Sequence, residues 1–388
     1  MKPPRLFRKV LAIFFVACML LLLPCSVAAE ETSREFGEEL PEEYLDFLEA
    51  IPEELVALLP DGIFSTDAEE VGEAVREMSD FSYLLRTLFD LIGVRLRDCL
   101  QTLAPLIGLL VLSAICRTLK SSFGSEGLAN TFSFCSTLLI TGSLIRWSVR
   151  SLESVTDYFS ILNALTTASI PIMGALYAMG GNVTAAVASS GGLSLFLGVM
   201  ENLVSRSILP FCGICMALAL VNAVDANLRT GSLLTTLKKN YTTALSFLMM
   251  LLLAMLGAQT TLSAHSDTLA MRSVKFAAGS LIPVVGGSVS ELLRTVSASV
   301  GFLRGTVGIC GILLLLLTLL PTLIEFLLLR FTWQIAASLA DILGCDGEKK
   351  LLDEFASLFG FLIAAVCICS SVFLLALTLL THCASAIG

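Results

Sequence analysis

From about residue 100 onward, the chain alternates long apolar runs with short polar segments. A helix needs about 20 apolar residues to cross the hydrocarbon core of a bilayer, which is ~30 Å thick. The pattern predicts an all-α polytopic membrane protein with about six transmembrane helices. The predicted spans cover residues 100–116, 128–145, 208–224, 241–263, 306–329 and 355–380. The run at 192–206 is shorter, and the protein has seven or eight crossings if this run also passes through the membrane.

Two apolar segments contain proline and glycine, which interrupt helices. Proline lacks the amide hydrogen that a helix uses, and glycine permits turns that other residues resist. The segments read SIPIMG at 169–174 and SLIPVVGG at 280–287. Broken backbone at membrane depth survives only where protein buries it or a wet cavity borders it. The segments are therefore either re-entrant linings of a transport path or kinked helices packed against neighbours. The candidate path-lining residues are Ile170, Pro171, Gly174, Ile282, Pro283, Gly286 and Gly287.

The order of these features repeats once along the chain. The two IPxxG segments are 112 residues apart, and the Leu-Pro pair at 209–210 recurs 111 residues later at 320–321. The Lys-Lys pair at 238–239 also recurs 111 residues later, at 349–350. We therefore predict an internal duplication within the membrane domain. Its units span about residues 128–240 and 241–350.

Basic residues indicate the topology of the duplicated region. The positive-inside rule places both Lys-Lys loops in the cytoplasm. Each repeat unit then crosses the membrane an even number of times, so the segments around Pro171 and Pro283 return to the outer side or lie flat there. Arg146 and Arg150 fall outside in this scheme and count against it.

The first 98 residues differ in composition from the rest. Residues 1–29 combine a basic start, a 14-residue apolar run and small residues, which is typical of a secretory signal peptide. As a helix, that run is roughly 21 Å long, which favours cleavage over a permanent anchor. Residues 30–94 hold 19 acidic residues against three basic ones. We predict a small exported helical region over 30–98, in which 81–96 form an amphipathic helix on the outer membrane surface. The polytopic domain then covers 99–388.

Composition supports the membrane assignment and argues against several functions. Of 388 residues, 56% are hydrophobic and 15% are charged, against about a quarter charged in soluble domains. Most of the 12 cysteines lie in apolar runs, where they act as small packing residues. The chain contains no P-loop, HExxH or GxSxG motif, and it has only two histidines. We expect no enzymatic activity, no cofactor or metal, and no nucleic-acid partner.

Glu325 is the one acidic residue well inside a strong span. Ionisable residues at membrane depth are functional candidates, because burying a charge in lipid is costly. The nearest base along the chain, Arg330, is five residues away and so about 140° around a helix, which places the two residues on different faces. Glu325 is therefore either a functional intramembrane carboxylate or a residue near the cytoplasmic end that reaches toward water.

The run MRSVKFAAGSLIPVVGGSVSELL at 271–293, followed by LLLLLTLLPTLIEF at 313–326, resembles the stage III sporulation protein AE family. The similarity extends over about residues 100–380. It implies a membrane component, made in the mother cell, of a channel or feeding-tube apparatus that sustains the forespore. It implies a location in the mother-cell membrane around the forespore, with the N-terminal region outside the cytoplasm. The implied partners are a secretion-type ATPase, small membrane proteins and ring-forming proteins of one operon, and a forespore membrane protein.

The residues themselves leave three functional classes open. The first is a subunit of a channel or secretion-like complex, and the second is a self-sufficient secondary transporter, which the repeat and Glu325 favour. The third is a membrane scaffold in which the interrupted segments merely pack. The resemblance favours the first class.

Overall fold

The computed structural model describes Leu48, Ile51, Val56 and residues 59–65, 67–123, 126–179, 183–224, 230–281 and 286–383. The predicted signal peptide and most of the acidic region lie outside the described residues. Long helices make up nearly all of the described chain, which confirms the predicted all-α class. The helices are α1 (Ala68–Ser79), α2 (Phe81–Phe123), α3 (Glu126–Met179), α4 (Val183–Leu203), α5 (Leu209–Val224), α6 (Thr230–Leu281), α7 (Gly286–Ile342) and α8 (Asp346–Cys383).

The helix α1 is a short acidic helix that packs on α7. Asp67 caps its N-terminus, where a side-chain oxygen accepts a hydrogen bond from the Glu69 amide at 2.9 Å. Acidic residues in the first turn suit the positive end of the helix dipole. One face of α1 is buried, with Val71 and Met78 both fully inaccessible. This amphipathic packing anchors the end of the acidic region to the bundle.

The helix α2 runs for 43 residues without a break. The predicted surface helix at 81–96 and the predicted span at 100–116 are therefore one helix, and the boundary proposed after residue 98 falls inside it. No proline or glycine separates the two segments, so the helix continues from one into the other. The apolar stretch of this helix is Ser82–Ile115.

The helix α3 continues through the first predicted interruption. Ile170, Pro171 and Gly174 lie in its last turns, and the backbone remains helical as far as Met179. Of the two predicted alternatives for this segment, the continuous backbone agrees with a helix that contains proline and not with a re-entrant break. A membrane helix tolerates proline where nearby hydroxyl groups and neighbouring helices satisfy the freed backbone. The carbonyl that loses its helical donor to Pro171 is that of Thr167, and the adjacent Thr166 carbonyl accepts a hydrogen bond from the Ser169 hydroxyl at 2.7 Å.

The second predicted interruption falls at a junction between helices. Helix α6 ends at Leu281 and α7 begins at Gly286. Ile282 and Pro283 lie outside the described residues. The comparison between the two related segments therefore extends only to their described ends, which are helical in both cases.

Two helical hairpins form the C-terminal half of the bundle. In the first, α5 and α6 are antiparallel, and the Phe211 ring stacks on Tyr241 at a centroid distance of 4.2 Å. In the second, α7 and α8 are joined by a tight turn at Gly344, whose φ of 69° suits glycine. The turn is closed by a hydrogen bond of 2.8 Å from the Cys345 amide to the Ala340 carbonyl.

The hairpins pack with α6 parallel to α8. Lys238 contacts Glu354, and further along both helices Tyr241 contacts Phe361 with ring centroids 5.5 Å apart. The proposed duplication pairs Lys238 with Lys349, so α6 and α8 are the helices that it makes equivalent. Their parallel packing is the arrangement expected if each repeat unit crosses the membrane an even number of times.

Four helical segments among the described residues are long and apolar enough to cross a membrane. They are Ser82–Ile115, Gly231–Ala258, Val307–Ile342 and Asp346–Thr378. Gly191–Met200 and Arg206–Asn222 are shorter apolar helices. The last two long segments form the buried centre of the bundle, whereas the first two expose large apolar side chains at its periphery. The predicted count of six crossings remains a prediction.

A candidate polar site between three helices

A cavity of about 580 Å³ lies between α2, α3 and α7. Each helix contributes a stripe of side chains at spacings of three and four residues, so that one face of each helix borders the cavity. The stripe residues are Leu91, Arg95, Asp98 and Thr102 on α2, Arg150, Ser154, Asp157 and Ile161 on α3, and Thr318, Thr322, Glu325 and Leu329 on α7. Five of these twelve residues carry charge, which is unusual among apolar helices.

Glu325 forms the centre of this polar site. Its Oε2 lies 3.7 Å from Arg95 Nη1 on α2. The Glu325 side chain is 19% exposed and that of Arg95 is 37% exposed, so the pair is neither fully enclosed nor open to the surface. Arg330, the base nearest to Glu325 along the chain, instead lies on a different face, where its guanidinium contacts Gly360 on α8. The predicted separation of Glu325 and Arg330 is thus confirmed.

Helix α3 supplies a second guanidinium group. Arg150 lies over the Trp147 ring, 5.9 Å from its centroid, and is close enough to Glu325 to attract it electrostatically. The Ser154 hydroxyl donates a hydrogen bond to the Arg150 carbonyl at 3.3 Å. Two arginines from different helices therefore flank one carboxylate.

Two aspartates complete the charged lining. Asp98 on α2 and Asp157 on α3 border the cavity, and neither forms an ion pair within 4 Å in the part of the chain that the structure describes. With Glu325 ionised, two guanidinium groups face three carboxylates, which gives the cavity a formal net charge of −1.

Proline and tyrosine shape the walls of the cavity. Pro321 lines it within α7 and has no amide hydrogen to donate to the Leu317 carbonyl, which adds a polar backbone group to this part of the helix. Tyr158 also lines the cavity, and its hydroxyl lies 2.6 Å from the Ser370 hydroxyl on α8. This side of the cavity is thus bounded by a buried contact between α3 and α8.

A second buried polar cluster lies apart from the cavity, between α6 and α8. Lys238 Nζ is 3.4 Å from Glu354 Oε2 and 3.2 Å from Ser357 Oγ. Cys212 and Cys215 on α5 are buried and not joined in a disulfide. No group of three or more His, Cys, Asp or Glu residues that could hold a metal ion occurs among the described residues.

A family model described as stage III sporulation protein AE matches residues 69–384. The chain belongs to the stage III sporulation protein AE family. It is 24% identical over 281 residues to the stage III sporulation protein AE of Bacillus subtilis (strain 168), which covers 72% of this chain and 70% of that relative. No solved structure matches the chain. Membership in the AE family implies a role in sporulation.

The AE family match contains every charged residue of the cavity but does not assign a role to any of them. The structure brings Glu325 together with four charged residues that the sequence analysis did not select. Pro171 is exposed on α3, three turns beyond the last cavity residue of that helix, Ile161. Gly286 and Gly287 begin α7, far along the helix from Thr318. The predicted path-lining residues in the described part of the chain therefore do not border the cavity. Ile282 and Pro283 lie outside the described residues.

The missed residues had a recognisable signal. Arg95 lies in the predicted surface helix at 81–96, Asp98 lies at the end of the predicted exported region, and Arg150 bears on the predicted topology alone. Each helix of the site nevertheless shows three polar residues spaced three and four positions apart, at i, i+3 and i+7 in α2 and at i, i+4 and i+7 in α3 and α7, which aligns their side chains on one helical face. Matching polar stripes on three helices indicate a shared polar site.

Proposed function

We propose that this protein is a polytopic membrane subunit of a channel or secretion-like complex that links the mother cell and the forespore, and that forespore development requires it. The observation that carries the proposal is the charged cavity between α2, α3 and α7, of which α2 and α7 contain apolar segments long enough to cross a membrane. Charged groups among such helices need polar partners or water, and they mark paths for polar solutes. A role in packing alone would not need five charged side chains around one cavity.

A single chain encloses a cavity but needs other proteins to complete a conduit between two cells. We therefore propose as partners the other proteins of the stage III sporulation operon, namely a secretion-type ATPase, small membrane proteins and ring-forming proteins, together with a forespore membrane protein. The site of action is the mother-cell membrane around the forespore, with the N-terminal region outside the cytoplasm after signal cleavage. The role is not enzymatic.

Complementation in sporulating cells tests the proposal. Cells whose own copy is deleted would express Glu325→Gln, Arg95→Gln or the control Asp341→Asn, which alters an exposed pair outside the cavity. We expect the two cavity variants to lower the number of heat-resistant spores while still co-purifying with the partners, and the control to behave as wild type. If Glu325→Gln and Arg95→Gln both sporulate normally and assemble, the cavity has no part in function and the scaffold class is favoured.

A self-sufficient secondary transporter is the second candidate. The observation that favours it is that one chain supplies all the charged residues of the cavity, so that a complete site exists without partners. Purified protein reconstituted alone in lipid vesicles would then accumulate a polar solute in response to an ion gradient. A subunit of a larger complex would show no such accumulation.

A further inference from the structure

We propose that the cavity between α2, α3 and α7 binds a small zwitterionic solute with the size and charge pattern of a free amino acid. This inference rests on the proposed function, in that it assigns a ligand class to the site that carries it. The argument depends on the charges of the lining, on the geometry of the central ion pair and on the volume of the cavity.

The lining presents both signs of charge to the same space. Arg95 and Arg150 offer guanidinium donors that match the geometry of a carboxylate. Asp98 and Asp157, without an ion-pair partner within 4 Å among the described residues, offer acceptors for an ammonium group. A ligand that carries both groups can satisfy both sets at once, whereas a simple anion or cation satisfies only one and is repelled by the other.

The central ion pair leaves capacity for a ligand. Arg95 Nη1 and Glu325 Oε2 are 3.7 Å apart, whereas a charge-assisted hydrogen bond is about 2.7–2.9 Å long. The two groups therefore attract one another without a close hydrogen bond, and the remaining donors of the guanidinium and lone pairs of the carboxylate stay available. The formal net charge of −1 favours neutral and basic solutes over acidic ones.

The size of the cavity favours a small solute over a protein cargo. A free amino acid occupies on the order of 150 Å³, about five times the volume that one water molecule takes in the liquid. The cavity of about 580 Å³ accommodates such a solute together with several waters. This volume also lies within the roughly 300–1,000 Å³ that is common for small-molecule sites. A folded domain does not fit.

Equilibrium binding to the purified full-length protein in lipid nanodiscs tests the inference. The probe is a uniformly ¹⁴C-labelled mixture of the protein amino acids, and the competitors are unlabelled L-alanine, propionate and ethylamine at equal concentration. Propionate has the carbon skeleton of alanine without the ammonium group, and ethylamine keeps an ammonium group without the carboxylate. We expect bound radioactivity that L-alanine displaces and the two single-charge compounds do not.

The variants locate the binding within the chain. We expect Glu325→Gln and Arg95→Gln each to weaken binding about ten-fold or more, the effect of losing ~1.4 kcal/mol, and Asp341→Asn to leave it unchanged. The double variant Arg95→Gln/Glu325→Gln removes both charges of this ion pair together and orphans neither of them, so it provides the same test if the single variants do not fold.

Three results would overturn the assignment. They are the absence of bound amino acid on well-folded wild-type protein, equal displacement by propionate or by ethylamine alone, and unchanged binding by the cavity variants. If binding is absent but spore formation still requires Glu325, the ligand class is wrong and the proposed function stands. If binding is present but the cavity variants sporulate normally, the site exists and the proposed function is wrong.

Discussion

Removing the carboxylate of Glu354 should destabilise the protein strongly, because Glu354 is the buried partner of Lys238. The Lys238 and Glu354 side chains are only 8% and 16% exposed, and Nζ lies 3.4 Å from Oε2. The same ammonium group donates to Ser357 Oγ at 3.2 Å. Glu354→Ala leaves this ammonium enclosed without a counter-charge, and breaking a buried pair in this way costs about 3–5 kcal/mol. We expect the free energy of unfolding to fall by that amount.

A matched surface pair provides the control. Lys349, which the duplication aligns with Lys238, forms an ion pair of 2.6 Å with Asp341, but the two side chains are 35% and 57% exposed. Exposed pairs of this kind contribute about 1 kcal/mol or less. Asp341→Asn should therefore have a small effect, although its ion pair is the shorter of the two.

The double variant Lys238→Met/Glu354→Leu distinguishes the net contribution of the ion pair to stability from the cost of burying one charge without its partner. Replacement of a buried ion pair by apolar side chains is often neutral or stabilising, so we expect stability close to or above that of wild type. The assay is denaturant unfolding of the full-length protein in detergent, followed by the fluorescence of its two tryptophans. The reasoning fails if the free energies of unfolding of Glu354→Ala and Asp341→Asn differ by less than about 1 kcal/mol.

Two further substitutions test packing in the same unfolding assay. A Cβ atom at Gly360 would lie 3.1 Å from Arg330 Nη1, so the guanidinium must move, and Gly360→Ala should be less stable than Gly213→Ala by about 1–3 kcal/mol. Gly213→Ala is its control, since a Cβ there meets no atom within 4 Å and should add up to about 1 kcal/mol; equal effects would contradict this explanation. Tyr158→Phe removes the hydroxyl that lies 2.6 Å from that of Ser370 and should cost about 0.5–1.5 kcal/mol, while an unchanged midpoint would show that this contact contributes nothing.

Apolar runs predicted the helical class correctly but not the lengths of the helices. Helices α3 and α7 are 54 and 57 residues long, which corresponds to about 80–85 Å and exceeds the thickness of the hydrocarbon core. Their polar parts contain no long apolar run, so the apolar pattern does not predict that these parts are helical. In α3, the polar part continues as helix with one face buried, as at Val155 and Leu162.

Proline proved a weak guide to where the chain breaks. Pro171 and Pro321 both lie inside continuous helices. Pro210 follows a single π-helical segment, Val204–Ile208, whose wider turn accommodates the change in hydrogen bonding. Whether proline ends a helix depends on the neighbouring helices and hydroxyl groups that satisfy the backbone, and these tertiary contacts are not visible in a local sequence pattern.

The candidate site was only partly predictable for a similar reason. Glu325 stands out in sequence because it is an isolated acid in an apolar run. Arg95 and Arg150 do not stand out, because charged residues are common in the polar segments that contain them. Their importance arises only when α2 and α3 pack against α7 and bring the three polar stripes together.

The position of the cavity relative to the duplication bears on the functional class. Secondary transporters built from repeats usually bind their solute at the interface between equivalent elements. Here α2 lies before the first repeat unit, and an offset of 111 residues carries the α3 lining at 150–161 to 261–272 rather than to the α7 lining at 318–329. The cavity therefore joins elements that the duplication does not relate to one another. We do not expect such a site to open alternately to the two sides of the membrane through movement of two equivalent repeats. This favours a subunit of a larger complex over a self-sufficient transporter.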